Sequence, residues 1–595
     1  MLSVLKRIKK HCAQTVRSIL LQTNCLLLCS CAFFHSSPLF DFDVSRLGNA
    51  AADSLDAPAQ TDVSLQSFRG KNILVLIPHE DDEACLLGGV LESFVKAGSN
   101  VRVVYETNGD FRGKRIGLIR IQEAIHALEI AGIPKENILF LGYGDQWEGD
   151  VHIYNAAPDE VLTSAGGLTK TYGSDDMPAY HDGTPYTRNN LKSDIRSVLT
   201  GYLPDIIFCI DLDGHRDHRG LSLLFEEVMG DLLRESPEYQ PAVFKGFGYS
   251  TAWNADADFA GENLSSTVQP EHLSFSPEFS YYNWYRRIRF PVSSRAVSRL
   301  MTHSTTYRML DAHASQNAVA KSASVLNGDR VFWLRPTQSL LYRAIIKASS
   351  GEASRLTDFK LADIPDVNEV VCTFSDHVWS PAPQDSRKTI SVHFNDPVTL
   401  SQIWLYDNPD WNSNILESLI TFSDGTEILT GPLDVSGCPT AVSFPEKESI
   451  TSMTIRILEA EGDEPGLVEL EAYSEDPSAG LSWIKLMNEK DDLIYDYWIN
   501  RTGSENLRLY RYPEDIDFLE TNVAADISSS AGSVEIAGDT VKVFCPPGES
   551  FYLSVTDKRN DLSDTVRISN PSEARRLLVS ILQKLESDSV AAGSP

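Results

Sequence analysis

Cysteine is scarce and badly spaced for shared work. The 595-residue chain has nine, and Cys12, Cys25, Cys29 and Cys31 crowd its start, leaving Cys85, Cys209, Cys372, Cys438 and Cys545. No two are spaced as Cys-x-x-Cys, which excludes a zinc ribbon, and the odd remainder argues against a disulfide framework. Cys372 and Cys438 share one expected module, where a bridge and two separate buried thiols are both open. Basic residues are also short, 52 against 83 acidic ones, for a formal charge of −31. A surface that neutralises phosphates needs clustered Lys and Arg, so nucleic acid is not an expected partner. Apolar runs long enough for a multi-span membrane protein are missing too. With 42% hydrophobic and 23% charged residues, wholesale disorder and collagen are excluded. At about 150 residues per domain, the length calls for roughly three or four domains.

Before Asp41 there is no acid at all, whereas Lys6, Arg7, Lys9, Lys10 and Arg17 are basic. An apolar run follows, from Cys25 to Phe34, short of a bilayer span. A basic start, a short apolar stretch and small residues read as an export signal over 1–36, with an uncleaved membrane anchor as the other reading. Leu28-Cys29-Ser30-Cys31 loosely resembles a lipoprotein cleavage box. Membrane attachment is thus expected only through the N-terminus, and the protein at the cell surface or outside it. Residues 37–68, polar and rich in Ala, Ser and Asp, read as a linker.

From Ile73-Leu74-Val75-Leu76-Ile77 onward the pattern becomes regular. Continuous apolar runs of this kind are strands buried on both faces of a parallel sheet. Val101 to Tyr105, Ile138 to Leu141 and Ile206 to Ile210 repeat the signal, with helical spacings between them such as Leu86/Leu87, Val90, Phe94 and Leu191, Ile195, Val198/Leu199. Alternating strands and helices predict an α/β fold, a doubly wound, mostly parallel sheet, over 69–350. From about 366 to 475 the period drops to two, as in Ile390, Val392, Phe394 and in Ile420, Phe422 before Asp424-Gly425. This predicts a β-sandwich. Residues 480–589 read as a further β-rich module ending in a helix with Leu577/Leu578, Ile581/Leu582 and Leu585 on one stripe.

Two segments carry chemistry. Pro78-His79-Glu80-Asp81-Asp82-Glu83 follows the first buried strand, and Asp211 to His218 follows the strand ending at Ile210. Sites in doubly wound sheets form at such strand ends, so the two segments are expected to face each other. Two neutral imidazoles and a carboxylate suit a catalytic zinc that keeps a position for water. His79 and Asp82, three apart where strand turns into helix, can converge on one ion, with His218 as the third ligand. Asp81 is then expected to act on the water's proton, His215 on the substrate carbonyl, and Asp217 to orient His215. Taken singly, such an Asp is most often a helix N-cap and such a His a polar loop residue; it is the pair of clusters that points to a metal.

The first segment resembles the His-Pro-Asp-Asp-Glu motif of PIG-L-type (LmbE-like) N-acetylglucosaminyl deacetylases, and His215-Arg216-Asp217-His218 resembles their His-x-Asp-His motif. Thr107 to Asp110, Arg120 to Glu123, Leu141 to Asp145 and His313 to Gln316 are similar to further segments of that family, so the resemblance covers about 70–340. It implies metal ligands His79, Asp82 and His218, with Zn2+ or another divalent metal such as Fe2+ as cofactor. It implies Asp81 as general base, His215 as electrophile with Asp217 behind it, and Arg120 and Asp145 as groups that grip sugar hydroxyls. Glu80 departs from the family, which often has Pro or Asp there. The implied reaction removes acetyl groups from N-acetylglucosamine-type sugars of glycoconjugates or envelope polysaccharide, so the expected partner is an N-acetylated sugar or polysaccharide. The 366–475 sandwich weakly resembles galactose-binding-like (discoidin-type) modules, with Trp379, Trp404 and Trp411 as stacking platforms or core residues. Two other readings stand beside this one: a surface carbohydrate-binding protein with a degenerate deacetylase domain, and a metal-dependent hydrolase of a different amide.

Overall fold

The computed structural model describes residues 63, 65–149, 151–248, 262–269, 283–321, 325–363, 367, 378–410, 412–514 and 523–593. The expected export signal (1–36), most of the expected linker, Cys372 and Trp411 lie outside them. The end of the expected linker packs inward: Phe68 is fully buried and stacks on Phe94, 5.1 Å between ring centres.

The first sheet has seven strands: β1 (Asn72–Ile77), β2 (Asn100–Thr107), β3 (Ile138–Tyr143), β4 (Ile206–Ile210), β5 (Ala242–Gly246), β6 (Ile288–Pro291) and β7 (Asp329–Arg335). Their order is β3-β2-β1-β4-β5-β7-β6, with the first five parallel and β7 and β6 added antiparallel. Ile73 to Ile77 and Ile206 to Ile210 are all essentially inaccessible, as runs sandwiched between helix layers must be. Four helices cross over between parallel strands: α1 (Asp82–Ala97), α2 (Lys114–Ile130), α3 (Arg188–Tyr202) and α4 (Arg216–Glu235). The chain moves one way from β1 to β2 and the other way at β4, so β1 and β4 flank a topological switch point, where such folds bind ligands.

Helix α1 starts with Asp82 and Glu83, whose carboxylates suit the positive N-terminal end of the helix, and stops at Gly98 in a left-handed conformation. Its Gly88-Gly89 pair permits close packing. A Cβ on Gly89 would stand 2.4 Å from that of Ala296, and one on Gly88 would stand 2.7 Å from Thr306. The neighbours are thus the 292–296 segment and helix α5 (Thr305–Ala312).

The second sheet is antiparallel and comprises β8 (Ala344–Ala348), β9 (Thr389–Asp407), β10 (Ile415–Phe422), β11 (Glu427–Leu429), β12 (Thr440–Ala460) and β13 (Leu467–Tyr473). It takes in β8, which lies upstream of the expected 366–475 range and inside the expected 69–350 catalytic module, by pairing with β9. Strands β9 and β12, 19 and 21 residues long, pass through register shifts where they pair, and so fold over the sandwich core. Trp379 is fully buried in that core and donates its indole N–H to Ser350 O, while half-buried Trp404 packs edge-on against Tyr473.

Two four-stranded sheets follow: β14 (Trp483–Met487) with β16 (Ser504–Tyr512), β19 (Thr540–Phe544) and β18 (Ser533–Ala537), and β15 (Asp496–Trp498) with β21 (Leu562–Ser569), β20 (Ser550–Asp557) and β17 (Val523–Ile527). Trp483 reaches Phe68 and Phe290 in the core of the first domain. The last helix, α6 (Glu573–Gly593), turns Val579, Leu582 and Glu586 inward and leaves Leu577, Ile581 and Leu585 exposed. The stripe expected from sequence is therefore split. Glu586 is among the buried groups because it accepts from Met301 N and Thr302 Oγ1. Among the described residues no helix is long and apolar enough to cross a membrane.

An ionic contact ties the sandwich to the seven-stranded sheet. Arg335, at the end of β7, donates to Glu471 of β13 at 2.6 Å, and Tyr406 and Tyr473 hydroxyls donate to the other Glu471 oxygen. All four side chains are buried. Removing one partner of a buried pair leaves an uncompensated charge and costs about 3–5 kcal/mol. Arg335→Leu is expected to lower the free energy of unfolding by that amount, read from the denaturant midpoint at unchanged slope.

Candidate functional site: a histidine–carboxylate pocket at the switch point

The turn after β1 is unusual. Asp81 has φ 122° and ψ −17°, a region that residues other than glycine rarely occupy. Such strain, of order 1–3 kcal/mol, persists where the surroundings impose it. Here it brings Asp82 back toward His79: Asp82 Oδ2 accepts from His79 N–H at 3.0 Å and lies 3.3 Å from His79 Nδ1. The turn after β4 supplies the rest. His215 caps α4, its Nδ1 accepting from Asp217 N–H, and one turn on His218 Nε2 lies 3.2 Å from the same Asp82 oxygen.

The structure thus brings together His79, Asp82 and His218, with His215 above them; the His79 ring centre is 5.5 Å from that of His218 and 4.7 Å from that of His215. Nitrogen atoms of His79, His215 and His218 all lie within 4.8 Å of one another. Each imidazole in contact with Asp82 has a carboxylate on its far nitrogen. Asp217 Oδ2 is 3.0 Å from His79 Nε2, and Asp213 Oδ2 is 2.8 Å from His218 Nδ1. This is the arrangement of metal-ligating histidines and their outer carboxylates. Asp82 Oδ1 is buried and finds no hydrogen-bond partner among the described residues, an acceptor left over for a cation. Two imidazoles and a carboxylate suit zinc and similar divalent ions.

Electrostatics agree with a seat for positive charge. Burial opposes ionisation of Asp82, but His218 and His79 beside it hold its carboxyl well below the usual range. Burial likewise opposes charging His218, yet Asp213 and Asp82 raise it to about 9. His79 is raised well above its ordinary value, burial being outweighed by Asp217 and Asp82. A cation entering here displaces those protons. His215 goes the other way, down to about 3, through burial and then the positive His79. It therefore stays a neutral imidazole.

Around this centre, Asp81 is 3% exposed and its carboxylate accepts from Lys321 Nζ at 2.7 Å. Asp145 Oδ1 lies 3.7 Å from His79 Nε2, and Asp145 Oδ2 is 3.6 Å from Arg120 Nη1, so these two border the pocket as a pair. Burial pushes Asp145 up to about 6. Glu80 is inaccessible, with neither carboxylate oxygen hydrogen-bonded among the described residues, and burial pushes it up to about 8. The 313–316 segment clamps the turn from outside: His313 Nε2 meets Glu83 Oε1 at 2.6 Å, Ser315 donates to Glu123, and Gln316 donates to Glu80 O.

Asp217 stands differently from its sequence expectation. It is 3.8 Å from His215 Nδ1 but hydrogen-bonded to His79, and its other oxygen meets His152 Nε2 at 2.8 Å. Sequence reasoning passed over His152, Asp213 and Lys321, which the structure places against Asp217, His218 and Asp81. Asp213 stood inside the quoted segment, and its spacing of five to His218 was the one available signal. His152 and Lys321 belong to no motif.

A doubly wound α/β domain with a histidine–carboxylate cation pocket at its switch point is the class that this fold and site define. Residues 74–229 match the family model GlcNAc-PI de-N-acetylase (PIG-L). Residues 342–473 match a domain of unknown function, DUF7402. No curated protein matches the chain significantly. Among solved structures, N,N'-diacetylchitobiose deacetylase from Pyrococcus horikoshii is similar at 20% identity over 37% of this chain and 73% of its own, TM-score 0.22. The deacetylase of teicoplanin biosynthesis, solved with teicoplanin, is 15% identical over 44% and 97%, TM-score 0.26. The family 32 carbohydrate-binding module of Clostridium perfringens NanJ, solved with galactose, is 17% identical over 22% and 93%, TM-score 0.18.

Proposed function

We propose that this protein is an exported, metal-dependent N-deacetylase that removes acetyl groups from N-acetylglucosamine-type sugars of glycoconjugates or envelope polysaccharide. The observation that carries the reading is the convergence of His79 Nδ1, Asp82 and His218 Nε2, with each imidazole backed by its own carboxylate. In this reading His79, Asp82 and His218 hold Zn2+ or a similar ion such as Fe2+. A divalent cation bound there supplies Lewis acidity, polarising the acetamide carbonyl and acidifying water.

The chain's own groups do the rest. Asp81 takes the proton of the attacking water and passes it to the departing amine. His215 is pre-set for its part: with Nδ1 accepting from the backbone of Asp217, the neutral ring carries its proton on Nε2 and donates it to the oxygen that gains charge. Arg120 and Asp145 grip sugar hydroxyls at the rim, and Asp217 orients His79. The acidic composition and the basic, then apolar start of the sequence support export, and the sandwich supports a module that holds the glycan near the catalytic domain.

The test is acetate release. Full-length protein incubated with N-acetylated chito-oligosaccharides is expected to liberate acetate and free amine in equal amounts. The reaction should stop with a chelator and return with Zn2+. Metal-loaded protein that releases no acetate from any N-acetylated sugar would overturn the reading.

A further inference from the structure

The pocket's proton arrangement is decided one layer out, on a loop no motif marks. His152 lies in the long connection between β3 and α3, is 1% exposed, and sits against α4 at Gly220. A Cβ on Gly220 would come 2.2 Å from His152 Cε1, so only glycine lets the ring approach that closely. The ring's two nitrogens have different partners. Nδ1 faces the backbone N–H of Tyr154 at 3.1 Å, and Nε2 faces Asp217 Oδ1 at 2.8 Å.

A backbone N–H can only donate, so Nδ1 of His152 must accept, and the ring's proton stands on Nε2, aimed at Asp217. Asp217 accepts it on Oδ1, which leaves Oδ2 to accept from His79 Nε2 at 3.0 Å. With one proton committed to Nε2, the Nδ1 of His79, 3.3 Å from Asp82, is the nitrogen that gives up its proton when a cation enters. Two acceptors that close need positive charge between them.

We infer that His152 is a positioning residue: through Asp217 it fixes the proton of His79 on Nε2, and so keeps Nδ1 free as a cation donor. The inference rests on the reading of His79 as a ligand, and adds the residue that sets its tautomer. The backbone of Tyr154 dictates the state of His152, His152 that of Asp217, and Asp217 that of His79. His152 touches neither cation nor substrate. Its loop is fastened independently of the pocket: Tyr154 donates to Asp363 at 2.5 Å and Arg188 donates to Tyr154 O.

The experiment measures metal affinity of the purified full chain by competition with a chromophoric chelator, using Zn2+, and the visible spectrum of the Co2+ form. Loss of the group directly bonded to a ligating histidine, here Asp217, usually costs 10–100-fold in affinity. His152→Ala, acting one step further out, is expected to weaken Zn2+ binding by about the lower end of that range, roughly 10-fold, and to alter the Co2+ spectrum. His152→Gln, whose amide N–H can replace Nε2–H, is expected to recover most of it. Gly220→Ala, which presses the ring away from the helix side, is expected to act like His152→Ala. Affinity unchanged in both His152→Ala and Gly220→Ala would overturn the inference. So would equal losses in His152→Ala and His152→Gln, because packing and not the donated proton would then matter. Wild-type chain that binds no Zn2+ would instead overturn the metal-site reading itself.

Discussion

His218→Ala is expected to abolish tight metal retention. The side chain is inaccessible, its Nε2 faces Asp82 at 3.2 Å, and Asp213 holds its other nitrogen. Alanine removes one of three donors and leaves Asp82 and Asp213 buried with a lost partner each. Metal bound per chain, measured after dialysis by elemental analysis, should fall from near stoichiometric to background, and deacetylation with it. Full metal content in a folded His218→Ala protein would remove His218 from the ligand set.

Asp81→Asn is expected to do the opposite with the metal. The Asp81 carboxylate accepts from Lys321 at 2.7 Å, whereas it is Asp82 that makes the contacts uniting His79 and His218. An amide keeps the size and most of the hydrogen bonding but cannot accept a proton from water. Loss of a general base lowers turnover by roughly 10²–10⁴-fold. The expected result is near-normal Zn2+ binding with kcat reduced by about that factor and KM little changed. Lost metal together with lost turnover would make Asp81 a ligand and leave the base to be found elsewhere. The pair of variants therefore separates holding the ion from using it.

What was legible in the sequence follows from what each signal encodes. Strands β1 and β4 were readable because burial on both faces forces unbroken apolar runs. His79, Asp82, His215 and His218 were readable because each sits within a few residues of such a run's end. The second, antiparallel sheet was readable over β9, β10 and β12, where one face is wet and the period is two. Strand β8 was not, because Ala344-Ile345-Ile346-Lys347-Ala348 offers too little side-chain contrast to mark a register. The face of α6 was misjudged because polar Glu586 and Gln583 turn inward to partners nearly three hundred residues away. His152 and Lys321 were invisible for a related reason. Their partners, Asp217 and Asp81, are 65 and 240 positions distant, and no local spacing encodes such meetings. Even Asp217 met a different partner, since adjacency to His215 in sequence suggested a contact that space gives to His79 instead.

The buried knot of Arg335, Glu471, Tyr406 and Tyr473 also makes one body of two sheets. With β7 and β13 clasped by it, the sandwich cannot swing freely against the seven-stranded sheet, so what one end of the molecule holds stays at constant reach from the other.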